Sequence, residues 1–186
     1  MCGIAGILGP QAPWSGAALA RMTLTQRHRG PDDEGSEWAS VGSAQIGLGH
    51  RRLAIQDLSF AGHQPMVHPE TSDLLVFNGE IYNAPALARE LSAEGVQFRG
   101  HSDTEVLLHA LRRWGTSCLA RLEGMYAFAW LDKSAGSLIF ARDPLGIKPL
   151  FISYTGQHLL FASEVRTLLA SGHVNKKLSG EGLASL

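Results

Sequence analysis

Short apolar runs separated by glycine, proline and polar turns follow one another along most of the chain, a pattern typical of a strand-rich fold. The first run, CGIAGIL, predicts a strand that the breaker Gly9-Pro10 ends. Further strands are predicted at residues 36–40 and 45–53 and in the runs LLVF, MYAFAWLD, SLIFARD, LFISYT and HLLFASE. The spacing of these runs indicates sheets with a few helices inserted between them.

Helical periodicity interrupts the strand pattern at four places. Apolar residues recur three and four positions apart over residues 17–26, which predicts a first helix. The stretch APALARELSAE at residues 84–94 predicts a second helix. SDTEVLLHALRRWG predicts a third, in which Ser102 or Asp103 is the N-cap. The run VRTLLASG predicts a fourth.

Size, charge and cysteine content narrow the class of protein. A chain of 186 residues can form one domain with a substantial core. Lys and Arg total 16 and Asp and Glu total 17, and no charge run is present, so neither nucleic acid nor a membrane is predicted as a partner. There is no signal-peptide pattern. Cys2 and Cys118 make no disulfide framework, which predicts a cytoplasmic location, and Cys118 is predicted to lie in the core.

Cys2 directly follows the initiator methionine. Methionine aminopeptidase generally removes Met1 when the second residue is small, which would place a thiol and a free α-amine on one residue. The pKa of a free cysteine is about 8.5 and that of an α-amine is about 7.7–8.0, so the amine is suited to activate the thiol as a general base. The alternative is structural, because a cysteine in an early strand is also an ordinary core residue.

The stretch FNGEIYN at residues 77–83 follows the apolar run LLVF. Asn78 offers a side-chain NH₂ group, and Gly79 offers a backbone N–H that can approach a ligand closely because glycine has no Cβ. An acyl-transfer nucleophile needs such donors for the oxyanion that develops during attack. The alternative is a hairpin turn, which is the commoner meaning of an Asn-Gly pair. Glu80 and Tyr82 follow immediately, and a hairpin turn alone is a less complete explanation of these two residues.

Charged residues in two other stretches could bind the ends of a free amino acid. The adjacent Arg51 and Arg52 in GLGHRRLAIQD are candidates for holding a carboxylate, because a guanidinium can grip it through two hydrogen bonds. Asp103 in GHSDTE is a candidate for holding an ammonium group. Spacing alone leaves both arginines open and favours Asp103 as a helix cap.

The histidines do not indicate a metal site. His50, His63, His68, His101 and His109 are scattered, with no HExxH sequence and no paired Cys/His spacing. We therefore predict no metal ligand among them. The nucleotide-binding sequences GxxxxGK[ST] and GxGxxG are also absent from the 186 residues.

Nine stretches follow one another along nearly the whole chain: MCGIAGI, RHRGPDDEG, GLGHRRLAIQD, GHQPM, FNGEIYN, SDTEVLL, LEGMYAFAWLD, ARDPLGIKPL and FASEVRTLL. Together they resemble the glutamine amidotransferase domain of the N-terminal-nucleophile type that begins glutamine-hydrolysing asparagine synthetases. RHRGPD and RDPLGIKPL are more similar to that family than to the amidotransferases that make glucosamine phosphate or phosphoribosylamine.

The resemblance implies an α+β fold, a four-layer αββα N-terminal-nucleophile hydrolase sandwich with two antiparallel sheets. It implies Cys2 as the nucleophile, its own α-amine as proton acceptor and donor, and Asn78 and Gly79 as the oxyanion hole. Attack on the side-chain amide of glutamine would release ammonia and leave a γ-glutamyl thioester, which water converts to glutamate. This chemistry requires that Met1 be removed.

The resemblance also implies the residues that bind the substrate. Arg52 matches the arginine that holds the α-carboxylate of glutamine. Asp103 and Glu80 resemble the anchors of its ammonium group. Leu53 and Ile55 would line the same pocket with their backbone.

In the family this domain is followed by a synthetase domain with an SGGxDS-like loop, which does not occur in residues 1–186. The resemblance therefore implies a glutaminase domain over 1–186 that binds L-glutamine and supplies ammonia for amidation of aspartate on a domain this chain lacks. It implies no cofactor for the glutaminase half-reaction, ATP and Mg only for the synthetase domain, and allows a homodimer. A different carboxylate acceptor and a non-catalytic regulatory module of the same fold remain open, and histidine spacing disfavours a zinc-binding module.

Overall fold

The computed structural model describes residues 1–176, so the last ten residues of the predicted 1–186 domain lie outside the described part. The strands are β1 (Gly3–Pro10), β2 (Asp33–Val41), β3 (Ala44–Arg52), β4 (Met66–Val67), β5 (Leu74–Ile81), β6 (Gly124–Asp132), β7 (Ser137–Arg142), β8 (Phe151–Thr155) and β9 (His158–Ala162). The helices are α1 (Ser15–Thr25), α2 (Ala84–Ala93), α3 (Asp103–Trp114) and α4 (Val165–Ala170), with 3₁₀ helices at Phe60–Gly62 and Gly115–Arg121.

Within residues 1–176 the strands form two antiparallel sheets. The first has the strand order β2-β3-β1-β9-β8 and the second has the order β4-β5-β6-β7. Three apolar clusters separate four layers. One packs α1 and α4 on the first sheet, one fills the space between the sheets, and one packs α2 and α3 on the second sheet. The predicted αββα sandwich is confirmed.

Successive residues of a strand point to opposite faces, and this alternation decides which side chains enter the space between the sheets. In β1, Ile4 belongs to the cluster between the sheets, whereas Ala5 packs toward the helices. In β3, Leu48 faces the other sheet. In β5, Val76 faces the first sheet, whereas Phe77 packs toward α2 and α3.

The end of β1 differs from the sequence prediction. The Gly9-Pro10 pair does not end β1, because both residues pair with β3, Gly9 opposite Gln45 and Pro10 opposite Ala44. Pro10 is tolerated there because β9 pairs with β1 no further than Leu8, so no ladder hydrogen bond on that side needs its missing N–H. The predicted break was wrong because pairing with a neighbouring strand overrides local breaker residues.

The helix predictions are confirmed with shifts of one or two residues at the ends. Ser102 caps α3, since its Oγ accepts the N–H of Glu105 at 3.2 Å. Cys118 is fully buried in the core on the second sheet, as predicted. Among residues 1–176, no helix has the length and apolar character that crossing a bilayer requires.

Candidate active site

A cavity of about 240 Å³ opens between the sheets, at the end where β1 begins and β3 and β5 finish. Cys2 lies two residues before Ile4, just ahead of β1, so the alternation of that strand directs it toward the other sheet. In the same way Arg52 follows Leu48 on β3, and Asn78 follows Val76 on β5. The cavity is lined by all eight residues predicted for the site: Cys2, Arg52, Leu53, Ile55, Asn78, Gly79, Glu80 and Asp103. Strand periodicity therefore explains how residues distant in sequence meet here.

The Cys2 side chain is half-buried, and its sulfur contacts the backbone of Leu53. The Leu53 N–H donates to Sγ at 3.5 Å, and the thiol donates to the Leu53 carbonyl at 3.8 Å. Burial raises the pKa of the Cys2 thiol, while the Leu53 N–H acts in the opposite direction. Because a raised pKa leaves less thiolate at neutral pH, a nucleophilic Cys2 needs a base beside it. Met1 also lines the cavity.

The first strand is held in place by side chains from other elements. The Nε of Arg29 donates to the Cys2 carbonyl at 2.8 Å, and the same guanidinium pairs with Glu164 at 3.0 Å. One residue into β1, the Ile4 N–H donates to the Ser163 hydroxyl at 3.0 Å. These contacts fix the backbone that carries the Cys2 thiol.

Asn78 is only 1% exposed, and its Nδ2 has no hydrogen-bond partner among the described residues. Gly79 follows it in β5 and must be a glycine, because a Cβ there would lie 2.4 Å from the Met125 carbonyl oxygen. Both residues lie inside β5, paired with β6, and not in a turn. The hairpin alternative is therefore excluded, and Asn78, whose buried donor is unused, lines the same cavity as Cys2.

The backbone just before Asn78 is held by two side chains. The Phe77 N–H donates to Gln64 Oε1 at 2.7 Å, and His50 Nε2 donates to the Phe77 carbonyl at 3.1 Å. Complete burial lowers the pKa of His50 to about 3, so its ring is neutral and can be a donor only through one nitrogen. The β4 strand pairs with β5 no further than Leu75. Beyond that point the side chains of Gln64 and His50 form the hydrogen bonds to the β5 backbone at Phe77.

Arg52, not Arg51, reaches the cavity. Its guanidinium donates to the Ser59 carbonyl at 2.8 Å and to the Asp57 carbonyl, leaving three of five N–H groups without a partner among the described residues. Arg51 points to the opposite face of the sheet and pairs with Glu34. Alternation along β3 thus separates two arginines that spacing alone did not distinguish.

Of the carboxylates that line the cavity, Asp103 and Glu80 are the two predicted to bind the substrate. Asp103 is buried and its Oδ2 accepts the Ile81 N–H at 2.9 Å, while Ser102 performs the capping that spacing had favoured for Asp103. Burial raises the pKa of Asp103, and the neighbouring negative charge of Glu80 acts in the same direction. A bound cation would offset the unfavourable free energy of the ionised Asp103 carboxylate. Glu80 is exposed and accepts a 3.4 Å hydrogen bond from Gln56.

Leu53 and Ile55 form part of the wall and rim of the cavity. The backbone of Leu53 is the one in contact with Cys2. Ile55 is 73% exposed, so its side chain lies at the mouth.

Three further residues near the site were not predicted: Arg29, Gln64 and Lys148. They lie in RHRGPDDEG, GHQPM and ARDPLGIKPL, so the resemblance marked the stretches without giving their side chains a role. Local periodicity carries no signal for them, because Arg29 contacts a residue 27 positions away and Gln64 one 13 positions away.

Two solved structures share this fold. The glutamine phosphoribosylpyrophosphate (PRPP) amidotransferase of B. subtilis matches with a TM-score of 0.72 and 25% identity, covering 92% of this chain and 44% of that one. An allosteric regulatory enzyme of purine biosynthesis matches with a TM-score of 0.76 and 24% identity, covering 95% of this chain and 44% of that one. The two-sheet sandwich with its first strand beside the cavity is that of the N-terminal-nucleophile amidotransferases.

The family model for the glutamine amidotransferase domain matches residues 1–186, and the chain belongs to that family. It is 39% identical over 190 residues to asparagine synthetase [glutamine-hydrolyzing] 3 of Bacillus subtilis, covering 100% of this chain and 30% of the relative. It is 37% identical over 191 residues to putative asparagine synthetase [glutamine-hydrolyzing] 2 of Methanocaldococcus jannaschii, covering 95% of this chain and 36% of the relative. The chain thus spans about a third of the length of these relatives, and the predicted family is confirmed.

Proposed function

We propose that this chain hydrolyses L-glutamine to glutamate and ammonia through a thioester on Cys2. The observation that carries the proposal is the unpartnered Nδ2 of buried Asn78 in the cavity that Cys2 lines. A nucleophile beside an unused donor is what attack on an amide carbonyl requires. The names of the relatives support glutamine as the substrate.

In the first half of the proposed reaction, removal of Met1 frees the α-amine of Cys2, which accepts the thiol proton. Sγ attacks the side-chain carbonyl carbon of glutamine, and the carbonyl electron pair becomes an oxyanion facing Asn78 Nδ2 and the Gly79 N–H. The protonated amine then gives its proton to the departing nitrogen. The C–N bond breaks, ammonia leaves, and a γ-glutamyl thioester remains on Cys2.

In the second half, water attacks the thioester carbonyl and the α-amine accepts a proton from it. The same donors stabilise the second oxyanion. The C–S bond then breaks, glutamate leaves, and the sulfur recovers its proton from the amine. The thiol pKa raised by burial makes the tethered base necessary in the first half, and in the second half the same amine activates the water.

Charge complementarity supports the proposed orientation of glutamine. The three free N–H groups of Arg52 would hold the α-carboxylate, and Asp103 with Glu80 would hold the ammonium group. The ammonium group would stabilise the buried Asp103 carboxylate more than exposed Glu80, since a cation beside Asp103 offsets the desolvation that raises its pKa. The backbone at Leu53 and Ile55 lines the space between these ends.

We further propose that the ammonia serves an asparagine-synthetase-type amidation of aspartate, on a domain that lies beyond residues 1–186 and uses ATP and Mg²⁺. The greater length of the relatives supports this. So do exposed apolar side chains on the two loops that border the cavity, with Ile55, Leu58 and Phe60 on one and Leu145 and Ile147 on the other. Such apolar surface is typical of a region that another domain covers. A homodimer stays a prediction.

The direct test is covalent labelling of Cys2. Mass spectrometry first establishes that Met1 is absent, and the chain is then incubated with 6-diazo-5-oxonorleucine, a glutamine-like electrophile. We expect one adduct, located on Cys2 by peptide mapping and prevented by excess glutamine. Cys2→Ser serves as the control for site specificity. An unlabelled Cys2 in fully processed, folded protein contradicts the proposed function.

A further inference from the structure

Lys148 is a cation in the cavity with no anion beside it. The residue is 6% exposed and lines the cavity. Its ammonium group forms no hydrogen bond and no ion pair with any residue of 1–176, although Asp57, Glu80 and Asp103 line the same cavity. Lysine is almost never buried unless it is paired, because desolvation of its charge is unfavourable. The cavity therefore has an unmatched cation as well as an unmatched amide donor.

The backbone of Lys148 is fixed on the Gly79 side of the cavity. Asp143 Oδ2 accepts the Lys148 N–H at 3.0 Å and the Tyr126 N–H at 3.2 Å. Tyr126 lies directly opposite Gly79 in the β5–β6 pairing, and Met125 beside it also lines the cavity. Asp143 thus ties the loop that carries Lys148 to the strand pair that presents the oxyanion donor.

We propose that Lys148 binds the γ-carboxylate of the glutamate product, and so distinguishes product from substrate at the reacting end. This rests on the proposed function. Glutamine carries a neutral amide at that end, whereas glutamate carries a full negative charge. Both ligands have the same α-carboxylate and ammonium groups for Arg52 and Asp103. An ammonium group that has all three donors free therefore favours the carboxylate over the amide.

Ligand binding without turnover tests this assignment. In a Cys2→Ala background we would measure the Kd of L-glutamate and of L-glutamine by titration calorimetry, with and without Lys148→Met. The Kd of glutamate should rise about tenfold or more, because the loss of a hydrogen bond to a charged group typically weakens binding by about that factor. Glutamine binding should change by less than about threefold, since its amide is uncharged. Lys148→Arg should retain the glutamate affinity.

Two controls make the outcome decisive. Lys133→Met removes an exposed lysine outside the cavity and should change neither Kd. If circular dichroism shows that Lys148→Met is unfolded, Lys148→Gln removes the same charge with a polar end. Equal weakening of both ligands, or unchanged glutamate affinity, overturns the assignment of Lys148. Failure of the Cys2→Ala parent to bind glutamine at all overturns the proposed function, and this inference with it.

Discussion

Asn78 is nearly completely buried, yet its amide nitrogen has no partner among the described residues. An unsatisfied buried donor costs about 1–3 kcal/mol, so most buried amides are paired. The neighbouring Phe77 shows that this region can satisfy its polar groups, since both its backbone groups are hydrogen-bonded to side chains. We attribute the free Nδ2 to a ligand oxygen that arrives with the substrate, because Asn78 lines the same cavity as Cys2.

The first prediction concerns this donor. Asn78→Ala should lower kcat for glutamine hydrolysis by roughly 10²–10³, the usual effect of removing one oxyanion donor. KM should change little, because the donor acts on charge that develops in the transition state. Steady-state measurement of glutamate release checks both values.

Asn83→Ala is the matched control for Asn78→Ala. The Asn83 side chain donates to the Arg121 carbonyl at 2.8 Å and accepts the Glu123 N–H at 3.0 Å, outside the cavity. Asn83→Ala should lower the melting temperature and leave kcat intact. A comparable loss of kcat in both variants would mean that Asn78 acts through general stability.

The second prediction separates the adjacent arginines. Arg52→Lys should raise KM for glutamine about tenfold or more, because one ammonium cannot replace a guanidinium that holds a loop and a carboxylate together. Arg51→Lys disturbs the pair with Glu34 on the other face of β3 and should mainly reduce stability. Kinetics and thermal unfolding of both variants are compared. An equal rise of KM in both would contradict the assignment of Arg52.

At the scale of the element, β5 is the strand that organises the site. It carries Asn78 and Gly79 past the point where β4 stops pairing, and side chains of His50 and Gln64 replace the missing strand. His50 makes this contact by donating one ring N–H, and complete burial keeps the ring neutral by lowering its pKa to about 3. The position of the proposed oxyanion donors therefore depends on a residue of the opposite sheet.

The third prediction follows from that contact. His50→Leu removes the donor to the Phe77 carbonyl, and kcat should fall by about tenfold to a hundredfold, since small displacements of catalytic groups have effects of this size. His50→Gln keeps an N–H donor and should recover much of the loss. The kcat of each variant is divided by its folded fraction. If His50 only stabilised the fold, His50→Leu and His50→Gln would then have the same kcat. Equal kcat values for Leu and Gln would refute the positioning role.

The elements themselves were largely predictable, because period-two and period-3.6 patterns reflect which side each residue buries. Their ends were less so. The sequence suggested a break at Gly9-Pro10 and a possible turn at Asn78-Gly79, yet both pairs lie in strands. Strand ends depend on whether a neighbouring strand is present, which local sequence does not record.

In the molecule as a whole, Glu164 connects the start of β1 to the segment that precedes α4. Its carboxylate accepts hydrogen bonds from His28, Arg29 and Arg166, and Arg29 in turn holds the Cys2 carbonyl. Burial alone would raise the pKa of Glu164, but these hydrogen bonds lower it to about 2. The contacts of Glu164 with His28 and Arg29 join residues more than a hundred positions apart, so the sequence could supply the family resemblance but not the side chains that support Cys2.

The fourth prediction is the pH dependence of stability. The unfolded chain protonates His50 below about pH 6.5, whereas the folded chain resists protonation until about pH 3. The contribution of His50 to the free energy of unfolding should therefore be fully present above pH 6.5. Between pH 6.5 and about pH 3 it should fall by up to about 1.4 kcal/mol per pH unit. Glu164 adds a second loss below about pH 4.5, since its folded pKa is about 2.

Denaturant unfolding at a series of pH values checks this dependence, with His50→Gln as the control. That variant lacks the titrating ring, so its stability should vary less between pH 6.5 and 4.5 than that of the parent chain. Identical slopes for parent and variant in that interval would show that His50 is not held neutral in the folded protein.

We propose that a free α-amine on Cys2 activates its own thiol for glutamine hydrolysis. The most direct measurement is the rate of glutamate and ammonia release by chain that has lost Met1, compared with chain that retains it, each verified by intact mass. We predict equimolar products from the processed form and loss of nearly all activity in the retained form. Equal rates in the two forms, or no hydrolysis by folded, processed protein, would contradict this role of the α-amine.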